Sequence, residues 1–196
     1  GGFAEGKEEG CRWDERHGGV DGTDCDDGYG RPDYRDNRYI RGDQSAHRPL
    51  ILHAPTNPDF KGTASIEAAL EELKDKYDFE YRRIEKMNHE EAIKLYQHAD
   101  LIVDQILCGS YGLLSVESMA LGKPVITYIR DDLIETFPQE LPIVSANPDT
   151  IQESIAMLLE DAKLRCELGQ RGRAYVEKYH AKEVVADQLE RIYDNL

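Results

Sequence analysis

Long apolar runs are missing from this sequence, and so is positive charge: 24 lysines and arginines stand against 39 aspartates and glutamates, a formal net charge of −15. Without an uninterrupted apolar stretch of about 20 residues no helix spans a bilayer, and no basic-then-apolar segment of the secretory kind is present. Membrane contact is therefore expected to be peripheral at most. The charge balance argues against a nucleic-acid partner, because phosphate backbones are met by basic stripes. Cysteine is scarce. Cys11, Cys25, Cys108 and Cys166 lie far apart and lack metal-ligand spacing, so they read as reduced thiols of a cytoplasmic protein without a metal site.

Aliphatic residues are nearly absent from residues 1–46, which hold 10 of the 16 glycines together with many Asp and Arg. Such a segment cannot bury enough surface to offset chain entropy, and it is expected to be a disordered tail or foreign to the domain at 47–196. Asp21–Gly28 has the composition of a calcium loop, but with Gly28 at the sharp turn the leading ligand positions fall on Thr23 and Cys25, and the pattern fails. Arg41-Gly42-Asp43 is a three-residue adhesion string inside a solvated tail.

From Pro49 onward the pattern becomes regular. Leu50–Ala54 reads as a strand, and the next segment sets Ile66, Ala69, Leu70 and Leu73 on one helical face. Phe79–Ile84 is strand-like, and Asn88 caps a helix with Ala92, Ile93 and Tyr96 inward. Leu101–Val103 is a wholly apolar strand. A helix over 113–121 stops at Gly122-Lys123-Pro124, and Val125–Tyr128 and Pro142–Ser145 follow as strands. Helices are predicted at 149–161, 163–178 and 182–195. Short apolar strands alternating with amphipathic helices indicate an α/β fold, a parallel sheet with helices on both faces. Ligands of such sheets gather at the carboxyl ends of the strands.

Residues 109–128, Gly-Ser-Tyr-Gly-Leu-Leu-Ser-Val-Glu-Ser-Met-Ala-Leu-Gly-Lys-Pro-Val-Ile-Thr-Tyr, carry the most chemistry. Gly112 is expected to free the backbone for close approach, and the amides of Leu113 and Leu114 open a helix whose positive dipole end suits phosphate. Glu117 sits one turn in and leans back over the same mouth, where a carboxylate can accept from a vicinal diol. Tyr111 wedges the turn or touches ligand. Lys61 and Gly62 follow the first strand and precede a helix, on the same edge as Gly112. His53, closing that strand, reads more simply as a hydrogen-bonded structural residue than as a ligand contact, and His89 and His98 read as surface residues.

The 109–128 stretch resembles the donor-site signature of the group-1 glycosyltransferases, retaining enzymes of the two-domain glycosyltransferase-B fold. The likeness runs from about Arg48 to Leu196. His53-Ala-Pro-Thr-Asn-Pro-Asp-Phe-Lys61-Gly62-Thr63 is similar to that family's lysine-glycine loop, and Tyr96–Asp104 to its approach strand. The resemblance implies the Rossmann-like C-terminal half of that fold. It implies a nucleoside diphosphate sugar as donor substrate, with no separate cofactor, bound by Lys61, Gly62, Tyr111, Gly112, Leu113, Leu114 and Glu117. By the same resemblance Lys61 and Glu117 would carry the catalytic burden in a hexosyl transfer to an acceptor glycan, lipid or small molecule. The acceptor would be held by a missing N-terminal lobe or partner subunit, so this chain alone is expected to be inactive.

Two departures stand out. Gly109 occupies the place of the family's first signature glutamate, and no arginine precedes Lys61 by six residues, so Lys61 is expected to face the diphosphate without a side-chain partner. The alternatives are a nucleotide-sugar epimerase of the same fold and a non-catalytic nucleotide-sugar-binding module.

Overall fold

The computed structural model describes residues 48–195; the readings made for residues 1–46, including Cys11 and Cys25, lie outside them. Five parallel strands form one sheet. β1 (Leu50–His53), β2 (Glu80–Arg83), β3 (Leu101–Val103), β4 (Val125–Thr127) and β5 (Val144–Ser145) lie in the order β2-β1-β3-β4-β5. The helices are α1 (Pro58–Lys61), α2 (Thr63–Leu73), α3 (His89–His98), α4 (Leu113–Ala120), α5 (Asp131–Ile134), α6 (Ile151–Glu160), α7 (Ala162–Tyr179) and α8 (Lys182–Tyr193). This is the doubly covered parallel sheet that the alternation of strands and helices predicts.

Successive strand residues point to opposite faces, and along β1, β3 and β4 both faces are dry. Ile51, Leu101, Val103 and Ile126 pack against Ile66, Leu70 and Leu73 of α2 and Ile151, Ile155 and Leu158 of α6. Leu52 and Ile102 meet Ala92 and Tyr96 of α3 and Leu114 of α4. Val125 joins Met119 of α4 with Tyr175 and Val176 of α7. That two-sided burial is why β1, β3 and β4 read as largely apolar runs rather than alternating ones. Each fully buried Leu or Ile is worth about 1.5–3 kcal/mol against exposure.

Register is pinned at the start of the central pair, where the Leu50 amide donates to the Asp100 carboxylate at 2.7 Å and the Asp100 amide to the Leu50 carbonyl at 2.8 Å. α1 falls in a stretch that the sequence reads only as a loop. Asn57 caps it by accepting from the Phe60 amide at 3.1 Å, Pro58 opens it, and Gly62 at φ +79° closes it while also opening α2.

The placing of α4 depends on α7. Gly169 and Gly172 lie on the face of α7 that meets the end of α4. A Cβ on Gly169 would sit 2.1 Å from the Gly122 carbonyl oxygen, and one on Gly172 would sit 3.1 Å from Met119 Cγ. Arg173 then donates from Nη1 to the Ala120 carbonyl at 2.6 Å, covering an orphan acceptor of the helix end.

Candidate functional site

β1 leads off toward β2 on one side, while β3 leads through β4 to β5 on the other. The crevice at the carboxyl ends of β1 and β3 is thus the topological switch point, where open α/β sheets take their ligands. Two loops meet there: 54–62, which contains α1, and 104–112. The Ile106 amide donates to the Lys61 carbonyl at 3.1 Å and ties one loop to the other.

Lys61 ends α1 and is buried, its side chain only 10% exposed. Contrary to the sequence reading it has a side-chain partner: Nζ donates to Asp104 Oδ1 at 2.6 Å. Asp104 is fully buried, and its Oδ2 accepts from Ser115 Oγ of α4 at 2.7 Å. Asp104 and Ser115 were missed in the sequence. A carboxylate placed directly after the apolar strand Leu101–Val103, at the sheet's ligand-bearing edge, was the available signal.

Gly112 caps α4 in an extended conformation, φ −114° and ψ −171°, so the conformational freedom expected of it is not used. A Cβ there would lie 3.6 Å from Asp104 Oδ2, an ordinary contact. The left-handed position of this loop is Gly109, at φ +80°, where a Cβ would also come within 2.7 Å of Arg130 Cγ. No side chain caps α4 at Gly112, so its first amides, those of Leu113 and Leu114, are left for a ligand or water. The Leu113 side chain is exposed and that of Leu114 is buried in the sheet's second face.

Glu117 lies in the second turn of α4, and its Oε1 is 2.7 Å from His89 Nε2 at the start of α3. His89, read as a surface residue, is half exposed yet bonded to the one carboxylate that the signature places here. Tyr111 has its hydroxyl 3.0 Å from His180 Nε2 and 3.3 Å from the Tyr175 hydroxyl, with its ring 5.1 Å from that of Phe137. Those contacts tie the turn to the end of α7 and to the segment after α5. Cys108 is partly buried beside the site, its thiol bonded to the Phe60 carbonyl, and burial pushes its pKa up.

His53 is fully buried at the end of β1. Nδ1 lies 2.8 Å from the Val103 carbonyl, and Nε2 lies 2.8 Å from Thr63 Oγ1. A carbonyl only accepts, so Nδ1 carries the proton and Nε2 receives the Thr63 hydroxyl. The pair fastens the Lys61-Gly62 turn to β1 and β3, which settles His53 as structural. Burial pushes its pKa below the ordinary 6.5, outweighing the opposing pull of the Val103 carbonyl. In the unfolded chain the imidazole protonates near 6.5. Below that pH the unfolded state therefore holds more protons than the folded one, and stability falls as pH drops until the folded pKa is reached. Thermal midpoints measured from pH 8 down to pH 5 should decline below about 6.5, and His53→Gln should flatten the decline. An equal decline in the variant would assign it to other groups, His180 among them, whose pKa burial also lowers.

Among the described residues no group of three or more His, Cys, Asp or Glu could hold a metal ion, and no helix is long and apolar enough to cross a membrane.

The model of the family described as "Glycosyl transferases group 1" matches residues 62–175. That span runs from the lysine-glycine turn into the last turns of α7 and takes in more than half of the chain. The capsular polysaccharide biosynthesis glycosyltransferase CapM of Staphylococcus aureus is 29% identical over 107 residues, covering 53% of this chain and 28% of CapM. Sucrose-phosphate synthase of Thermosynechococcus elongatus superposes with a TM-score of 0.60 at 22% identity, over 76% of this chain and 45% of that one. TarM of S. aureus, solved in complex with fondaparinux, α-GlcNAc-glycerol and UDP, does so with a TM-score of 0.58 at 14% identity, over 76% of this chain and 36% of TarM. The structural likenesses establish the fold. The chain spans less than half the length of each of these relatives.

Proposed function

Because this chain belongs to the group 1 glycosyl transferases, we propose that it is the donor-binding part of a cytoplasmic, retaining hexosyltransferase and takes a nucleoside diphosphate sugar at the crevice between β1 and β3. The observation that supports this most is the convergence at the switch point of a cation, an uncapped helix N-terminus and a carboxylate. These are Lys61, the amides of Leu113 and Leu114, and Glu117.

Their chemistry divides by charge. In glycosyl transfer the bond from the anomeric carbon to the diphosphate breaks, and negative charge grows on the departing phosphate. Lys61 and the two amides would stabilise that charge. Glu117 would accept from the ribose hydroxyls, since a carboxylate oxygen already bonded to His89 keeps further acceptor capacity. The acceptor, whether glycan, lipid or small molecule, would be met by a second lobe or a partner subunit.

Calorimetric titration with a panel of nucleoside diphosphates and with inorganic pyrophosphate tests the assignment. Glu117→Gln should weaken nucleoside diphosphate binding by about 1.5–3 kcal/mol, the worth of hydrogen bonds to a charged group, and spare pyrophosphate. If no nucleoside diphosphate binds, or if Glu117→Gln changes both ligands alike, the ribose assignment is wrong.

Gly109 favours one other reading, a module that binds the donor without turning it over. Binding without transfer, after a complementary lobe is supplied, would select it.

A further inference from the structure

Lys61 enters the proposed site already holding an anion. Its Nζ is bonded to Asp104 Oδ1 at 2.6 Å, and Asp104 has no route out: it is fully buried, its Oδ2 is held by Ser115 Oγ at 2.7 Å, and its amide donates to the Ile126 carbonyl at 2.9 Å. Lys61, by contrast, is carried on a loop at the end of α1, and its side chain keeps 10% of its surface exposed where that of Asp104 keeps none. The same carboxylate lies 3.6 Å from the position of a Cβ on Gly112, directly beneath the turn that opens α4. It therefore faces both positive elements of the site, the lysine and the amino-terminal end of the α4 dipole.

We propose that Asp104 is a positioning residue that sets the affinity of the diphosphate site, by occupying the place on Lys61 Nζ that an incoming phosphate oxygen must take or share. The proposal rests on the donor-site reading above and deepens it. Binding becomes an exchange of anions, in which Lys61 turns outward from a fixed carboxylate and the carboxylate's remaining charge repels the arriving diphosphate. At such short range and with so little solvent between them, the charges are weakly screened. Ser115 moderates the effect, since its hydroxyl spreads part of the Asp104 charge away from the lysine.

The sign of one substitution separates this role from simple anchoring. Asp104→Asn keeps the shape and an oxygen acceptor for Lys61 while removing the charge. In the full chain it should tighten binding of inorganic pyrophosphate and of UDP by about tenfold and steepen the dependence of binding on salt. Ser115→Ala keeps the Asp104 charge and removes its second partner, so it should weaken both ligands several-fold. Weaker or unchanged binding in a folded Asp104→Asn protein overturns the proposal and assigns Asp104 to anchoring. Should that variant fail to fold, Ser115→Ala carries the test, and tighter or unchanged binding there overturns the proposal equally. The two levels fail differently. Wild-type binding that depends on Lys61 but weakens in Asp104→Asn removes this inference alone, whereas a folded wild type and variants that bind neither pyrophosphate nor UDP remove the donor site and the inference together.

Discussion

Lys61→Ala should lower the thermal midpoint by roughly 10 °C, before any ligand is considered. The substitution leaves Asp104 fully buried with the Ser115 hydroxyl as its remaining side-chain donor. Breaking a buried pair by removing one partner costs about 3–5 kcal/mol, because the surviving charge stays uncompensated. In a domain of this size each kcal/mol moves the midpoint by about 2–4 °C. Adding Asp104→Asn should restore most of the loss, because the double variant has no stranded charge. A Lys61→Ala protein as stable as the wild type would show that Asp104 finds another partner or takes up a proton. The coupling also governs how ligand binding is read: weak binding in the single variant mixes lost phosphate contact with a damaged site, and the double variant separates them.

The second large effect is predicted far from the crevice. Gly169→Ala puts a methyl group 2.1 Å from the Gly122 carbonyl oxygen, a backbone atom in the turn that ends α4. Gly122 sits at φ +68°, and its amide closes α4 by donating to the Met119 carbonyl at 2.9 Å. The peptide that carries this carbonyl also donates, through the Lys123 amide, to the Ser118 carbonyl at 2.9 Å, so it cannot rotate away without breaking that bond, and α7 must lift off. Overpacking costs about 1–3 kcal/mol where neighbours can give, and a clash with backbone belongs at or above the top of that range. A midpoint lowered by less than about 2 °C would mean the helices separate cheaply, since roughly 2–4 °C corresponds to each kcal/mol. Gly172→Ala meets the flexible Met119 side chain instead, at 3.1 Å, and should cost less.

These residues mark how far the sequence could be read. The sheet was legible because its central strands are short and mostly apolar, as in Leu101–Val103, and because Asn88 and Gly122 punctuate the helices as local chemistry requires. Lys61, Gly62, Gly112 and Glu117 could be placed near one another because strand order alone brings the ends of β1 and β3 together. Asp104 could not be paired with Lys61 from sequence: 43 positions separate them, and the pairing depends on side-chain reach across the switch point. His89 reaching Glu117 across 28 positions is the same kind of fact. The glycines of α7 did carry a signal, since glycine inside a helix costs about 1 kcal/mol against alanine and calls for a packing reason. What they pack against is a carbonyl that only the folded chain supplies.

Gly109 also constrains the history available to this site. The left-handed backbone costs a side-chain-bearing residue about 1–2 kcal/mol, and Arg130 fills the space a side chain would need while pairing with Asp132 at 2.7 Å. Residues 109 and 130 are therefore epistatic. A glutamate arriving first at 109 meets both penalties at once, whereas a small residue arriving first at 130 clears the space and surrenders only an exposed ion pair, worth about 0–1 kcal/mol. The accessible route from this chain toward a second signature carboxylate runs through position 130 before position 109. Reconstructing that carboxylate in the laboratory requires the same order.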